Sequence, residues 1–170
     1  RIESLSIVPM LAMGNAMSTF TAQNMGAGKI DRVKEGYRMC YVIVLTAGAV
    51  LCIMYQLAGG AFVSLFLDSS SSEAYSVGLS YVKFLSFFYS FIGLKASTDG
   101  LLRGAGDVTA FTVANLVNLA IRVSVTNLFA PIYGIQVAWM AVPLGWAANY
   151  VISFGWYLTG KWKKVRVIKK

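Results

Sequence analysis

The chain has 170 residues, of which 57% are hydrophobic and 13% charged, with no histidine and a formal net charge of +8. An average soluble domain carries about 25% charge, so this composition and a mean hydropathy of +0.64 argue against a water-soluble globule and against disorder. The lack of histidine excludes Ser-His-Asp and Cys-His catalysis, and the common zinc sites with them.

An all-α membrane protein is expected, a polytopic bundle of transmembrane helices. Charge in hydrocarbon is costly, so charge-poor runs mark the spans. There are five, over 5–25, 39–62, 79–101, 108–130 and 136–159. Each has about the 20 residues that cross a core of about 30 Å. Barrel strands would instead alternate apolar and polar residues over about 10 positions.

The first span carries Asn15, Ser18, Thr19, Thr21, Gln23 and Asn24, so much of that face must meet other helices or water. Pro9 is expected to break its hydrogen-bond ladder near one end. The span closes on Gln23-Asn24-Met25-Gly26-Ala27-Gly28-Lys29, and a similar element, Leu102-Arg103-Gly104-Ala105-Gly106-Asp107, follows the third span. Such glycines allow positive φ and close backbone approach. Gly28-Lys29 is not a phosphate loop, because Gln23 stands where its first glycine belongs and Ile30 where its hydroxyl belongs.

A basic loop, Lys29 to Arg38, leads into the second span, which holds Cys40 and Cys52. Twelve residues of helix rise about 18 Å, beyond disulfide reach, so both read as buried thiols. In the third span Lys95, Asp99 and Arg103 fall at i, i+4 and i+8 on one helix face. They form either a structural ion-pair ladder or, through Asp99, a coupling-ion or gate site. Phe84, Phe87, Phe88, Tyr89 and Phe91 crowd the same span, where lipid packing is the default. In the fourth, Asn115, Asn118 and Arg122 share a face, with Arg122 about 20 Å from the near surface. They read as interhelical hydrogen bonding or as a polar cavity wall. A turn at Pro131, Tyr133 and Gly134 precedes the last span, which contains Pro143 and ends on Trp156 and Tyr157, with Trp162 beyond, where an aromatic belt belongs.

Basic residues set the orientation. The loop 29–38 holds four, the segment from Asp68 to Ser80 none, the next turn Arg103, the Pro131 turn none, and the end from Lys161 to Lys170 six. This alternation gives a multi-pass protein of the plasma or inner membrane with a cytoplasmic C-terminus. The division expected is 1–162 as part of a C-terminal transmembrane lobe and 163–170 as a basic cytoplasmic tail that suits anionic lipid rather than nucleic acid. The odd number of spans, and a beginning at Arg1-Ile2-Glu3, suggest the C-terminal piece of a longer chain whose N-terminal half is its main partner. No metal site is read in the sequence.

Several runs resemble one family. Gln23 to Lys29, followed by Arg32 and Gly36, resembles the loop after the eighth helix of MATE (multidrug and toxic compound extrusion) transporters. Leu102 to Asp107 is similar to their tenth-helix ending, and Asn118-Leu119-Ala120-Ile121-Arg122-Val123 to their eleventh helix. Gly134-Ile135, Trp139, Pro143-Leu144-Gly145-Trp146 and Gly160-Lys161-Trp162 resemble the last helix and its exit. The resemblance implies helices eight to twelve of twelve, within one of two six-helix lobes. It implies export of organic, often cationic, compounds in exchange for Na⁺ or H⁺, with no other cofactor. Some members carry an acid in the middle of the tenth helix, where this chain has Phe88 to Lys95 without a carboxylate, and related sequences often have Glu where Asn118 stands. The resemblance thereby shifts cation coupling toward the N-terminal half.

The function expected is a cation-coupled antiporter working by alternating access, with Asn115, Asn118 and Arg122 as polar lining and Asp99 with Arg103 as gate or anchor. A flippase for lipid-linked oligosaccharide or lipid, from the same wider superfamily, is the alternative. A membrane-embedded enzyme lacks its paired carboxylates or nucleophile here, and a purely structural subunit predicts no transport.

Overall fold

The computed structural model describes residues 2–67 and 73–164. Regular structure among them is helical throughout: α1 (Ile2–Gly26), α2 (Ile30–Ser64), α3 (Glu73–Ser86), α4 (Tyr89–Gly104), α5 (Val108–Tyr133) and α6 (Gln136–Leu158), then a 3-10 turn at Lys161–Lys164. Four of these are long and apolar enough to cross a membrane, and α3 with α4, a pair bent by 51°, brings the number to five if the two helices together make one span. The expected all-α bundle is therefore present, with a bent pair of helices where the third span was expected. Arg1, Asp68 to Ser72 and the tail from Val165 to Lys170 lie outside the described residues.

The two Gly-Ala-Gly elements end their helices in the same way. Gly28 has φ +70° and Gly106 φ +84°. Lys29 N–H reaches back to the Asn24 carbonyl at 2.8 Å, and Asp107 N–H to that of Leu102 at 2.9 Å. Each is a glycine-based C-cap that uses up the last orphan carbonyls. Asp107 then caps α5, its Oδ1 accepting from Ala110 N–H at 3.3 Å, while its Oδ2 accepts from Trp156 Nε1 at 2.7 Å. One side chain thus starts α5 and ties it to the end of α6.

The segment Lys29 to Arg38 is not a loop. All but Lys29 forms the first turns of α2. Lys34 Nζ lies 2.7 Å from Asp31 Oδ1 on its exposed surface. That bond and charge hold the Asp31 carboxyl below its ordinary value and the Lys34 ammonium above its own. Two prolines also interrupt less than expected. α1 runs unbroken through Pro9, and α5 continues past Pro131 until Gly134 takes φ +80°.

The break between α3 and α4 has a visible cause. Phe88 N–H bonds the Leu85 carbonyl at 2.9 Å, a tightened turn. The Lys83 carbonyl accepts instead from Gln56 Nε2 of α2 at 2.9 Å and from Ser86 Oγ at 2.7 Å. These side chains satisfy the backbone that the bend would otherwise orphan.

α4 is the centre. Eleven of its 16 residues are buried, and it packs on α1, α2, α6 and, more lightly, α5. Its pairing with α1 is very close. A Cβ on Gly100 would overlap the Gly14 carbonyl, one on Gly104 the Ser18 carbonyl, and one on Gly14 would lie 2.6 Å from the Ala96 carbonyl oxygen. Outward, the helices are apolar, with Leu5, Leu57, Leu116, Leu128, Ile132 and Val151 all exposed. Phe87 and Phe91 join that surface, but Tyr89 is fully buried. Trp162 is fully buried too, its Nε1 donating to the Tyr157 carbonyl at 3.1 Å, so it anchors the 3-10 turn rather than an interfacial belt. Of the thiols, Cys40 is buried and Cys52 half-buried.

Candidate functional site

A buried polar group lies where α4 meets α5 and α6. Asp99 is 4% exposed. Its Oδ2 is 3.1 Å from Lys95 Nζ, one turn away. Lys95 Nζ also donates to Asn115 Oδ1 at 3.0 Å, and Asn115 Nδ2 donates to Asp99 Oδ2 at 3.2 Å. These three side chains close a ring across α4 and α5. From α6, Ser153 Oγ donates to Asp99 Oδ1 at 2.6 Å. Asn149, fully buried one turn before Ser153, has an Nδ2 without a partner.

The ring is charge-neutral, which is what makes its burial tolerable. It is not sealed. Lys95, Asp99 and Asn115 border a cleft of about 290 Å³ between α1, α4 and α5, together with Asn15, Arg103 and Phe111. Arg103 belongs to that rim rather than to the ring. Its Nη2 donates to Asn15 Oδ1 at 2.7 Å, its Nε to Ser18 Oγ at 3.4 Å, and its guanidinium lies 5.6 Å from the Phe111 ring centre. The expected ladder of three charges is thus one ion pair, Lys95 with Asp99, plus an arginine that clamps α4 to α1.

Asn115 and Arg122 border different depressions of this chain, and Asn118 lies between them in sequence. Asn118 is buried with its Oδ1 unpartnered. Arg122 is exposed and makes no ion pair or hydrogen bond among the described residues. It borders a separate depression of about 480 Å³ with Thr126 and Asn127 of α5 and Ala138, Ala141 and Val142 of α6. Gly145 divides the two regions, since a Cβ there would overlap Asn118 Oδ1 and lie 2.8 Å from Arg122 Cγ.

Of the motif residues, Asn24 is buried and donates through Nδ2 to the Phe20 carbonyl at 2.8 Å. Gln23 is exposed, with its carbonyl accepting from Ala27 N–H at 3.1 Å. Gly28 and Gly106 supply the positive φ, Gly104 the close approach, and Gly26 meets nothing within 4 Å. Pro143 is buried inside α6.

Sequence reasoning missed several members of the site. Asn149 and Ser153, at i and i+4 in an otherwise apolar helix, were the available signal for the α6 contribution. It also missed a hydroxyl cluster one residue from Asp99. Thr98 Oγ1 lies 2.7 Å from Tyr37 Oη and 2.8 Å from Tyr41 Oη. Tyr37 and Tyr41 bond each other, and Tyr41 Oη donates to Tyr150 Oη at 3.3 Å. Among the described residues no group of three or more His, Cys, Asp or Glu comes together.

The chain is 28% identical over 168 residues to the probable multidrug resistance protein YpnP of Bacillus subtilis, covering 98% of this chain and 37% of that protein. It is 23% identical to the probable multidrug resistance protein YoeA of the same organism, over 99% of this chain and 36% of that one. It is 21% identical to the probable multidrug resistance protein NorM of Thermotoga maritima, over 99% and 37% respectively. The chain therefore spans little more than a third of the length of these relatives. A solved structure, the inward-facing conformation of a multidrug resistance MATE family transporter of the MOP superfamily, shares its fold with a TM-score of 0.80 at 18% identity, covering 89% of this chain and 34% of that one. The solved relative is a transporter, and none of the relatives is named as an enzyme. The MatE family model matches residues 1–142. Most of the sequence fits that model and the fold is that of a MATE transporter, so the chain is a multi-pass membrane protein that belongs to the MatE family.

Proposed function

We propose that the protein carrying this chain is a secondary active transporter that exports organic, often cationic, compounds in exchange for Na⁺ or H⁺. Two lobes would rock about a central cavity between outward- and inward-open states, and this chain would supply one wall. The observation that carries the reading is the Lys95–Asp99–Asn115–Ser153 group. Ionisable side chains inside a membrane are costly and are kept where they line a pathway, and this group opens onto the cleft at α1. The multidrug resistance names of the relatives support the substrate class. The alternation of basic and bare connections supports a plasma or inner membrane setting with the C-terminus in the cytoplasm.

The test uses the full-length protein in proteoliposomes. A fluorescent organic cation is loaded, and a Na⁺ gradient or a pH gradient is imposed in turn. Movement driven by one gradient is the expected result and names the coupling ion. An Asp99→Asn variant should then lose roughly tenfold or more of that rate, within the range typical of one lost transition-state or binding contact. No movement under either gradient would overturn the antiporter reading and turn attention to lipid-linked substrates.

A further inference from the structure

We propose that the second half of α5 is the docking surface for a further transmembrane helix of the full-length protein, and that this helix brings an Asp or Glu at mid-membrane depth to pair with Arg122. The inference goes beyond the transport reading, and it is tested by stability rather than by transport.

Arg122 sits where an unpaired charge is least tolerable. α5 has 26 residues, about 39 Å of helix, and Arg122 is about 21 Å from its start, close to the midpoint. Half of a hydrocarbon core is about 15 Å, farther than a long side chain snorkels. The stem of Arg122 is laid against α6 in the notch at Gly145, where a Cβ would lie 2.8 Å from Arg122 Cγ. The buried Oδ1 of Asn118, beside the same notch, stays unpartnered, so the guanidinium is not folded back onto that acceptor. It borders instead the depression with Thr126 and Asn127, whose α6 side is made by the small Ala138 and Ala141.

The counter-charge is not supplied by this chain. Of its seven acids, only Asp99 falls within the five charge-poor runs, and Asp99 is paired with Lys95. Glu3, at the start of α1, accepts from Tyr81 Oη at 2.7 Å. A second copy would bring the same acids in the same positions. Phospholipid phosphates lie at the edge of the core, about 15 Å from its middle. A carboxylate carried by another helix meets both the depth and the charge, and it matches the planar fork of a guanidinium. The rest of α5 agrees. None of residues 119–133 is buried, although this half carries Ser124, Thr126 and Asn127 besides Arg122. Polar side chains of that kind bond neighbouring helices, not lipid tails. The chain spans little more than a third of the length of its relatives, so a helix to cover this face has a source in the full-length protein.

The experiment is charge reversal in the full-length protein, read by thermal unfolding in detergent. Arg122→Glu should lower Tm by roughly 3 °C or more. Each Asp and Glu predicted to lie within a span outside this chain is then changed to Arg, alone and together with Arg122→Glu. One such pair should restore the Tm of the parent protein, and the same acid changed alone should lower it. If Arg122→Glu does not fold, the cycle is repeated with Arg122→Met and each acid changed to its amide or to Leu, and one double variant should be more stable than either of its singles. Unchanged Tm in both Arg122 variants, or rescue by no acid in either cycle, overturns the proposal. A Tm gain from added phosphatidylglycerol that Arg122→Met abolishes, with no rescuing acid, would assign the depression to a lipid phosphate instead. Transport does not enter the readout, so the proposal stands or falls separately from the antiporter reading.

Discussion

Gly100 shows how much of this fold rests on a missing side chain. A Cβ there would overlap the Gly14 carbonyl, and that backbone has no rotamer with which to move aside. Gly100→Ala should therefore force α1 and α4 apart and lower stability by about 1–3 kcal/mol, read as a fall in Tm in detergent. Gly26→Ala, with open space around it, should leave Tm unchanged. The signal was present in the sequence, because Gly100-Leu-Leu-Arg-Gly104 is a small-xxx-small spacing. Gly104 lies in the Leu102–Asp107 element, whose glycines are expected to allow close backbone approach, whereas Gly100 lies outside it. Asp107 is a second residue with two tasks. Asp107→Ala removes both the α5 cap and the Trp156 partner, and should cost about 1–2 kcal/mol, whereas Trp156→Phe removes only the latter and should cost about 1 kcal/mol. Thermal unfolding of the two variants side by side checks the ranking. The ring at Asp99 was half legible at this scale. Lys95, Asp99 and Asn115 were named from helical spacing. Spacing on one helix carries no information about which neighbour faces it, so Ser153 is not legible there, nor is the bonding of Arg103 to α1 rather than to the ring.

The third span illustrates what helices conceal. Its composition reads as one crossing, yet the helix breaks at Phe87 and Phe88 and turns by 51°. No proline or glycine marks the place. The break is stabilised from outside the span, by Gln56 of α2 reaching the Lys83 carbonyl and Ser86 Oγ, and a contact of that kind leaves no mark in local sequence. Gln56→Leu should cost about 1 kcal/mol, because Ser86 still serves the Lys83 carbonyl. Adding Ser86→Ala should raise the loss to about 1–3 kcal/mol by leaving that carbonyl unpaired. A loss in the double variant no greater than in the single one would show that the bend does not depend on these side chains. α2 conceals something simpler. Its 35 residues make a helix of about 52 Å, against a hydrocarbon core of about 30 Å. Its first turns extend beyond the membrane as a charged helix, and charge alone reads the same in a helix as in a loop.

For the molecule as a whole, hydropathy and basic residues carried most of the information. The expectation of five crossings and their order follows from where charge is absent, because hydrocarbon excludes charge whatever the packing, and four continuous spans with one bent pair answer to it. The orientation uses a different property, the side on which lysine and arginine collect, and it makes a prediction that packing alone does not. The turn at Gly134 and Ile135 should face the outside, and the 3-10 turn at Lys161–Lys164 the cytoplasm. Single cysteines at Ile135 and at Lys163, both exposed, can be introduced into a full-length protein whose Cys40 and Cys52 are replaced by alanine. A membrane-impermeant maleimide applied to intact cells should label Ile135→Cys and leave Lys163→Cys untouched until the membrane is opened. The opposite pattern would invert the topology and move the rim of the Asp99 cleft, with Arg103 near its α4 end, to the outer side. The side toward which that cleft lies would invert with it, so this labelling decides which face of the membrane the Asp99 group is nearer to in any transport measurement.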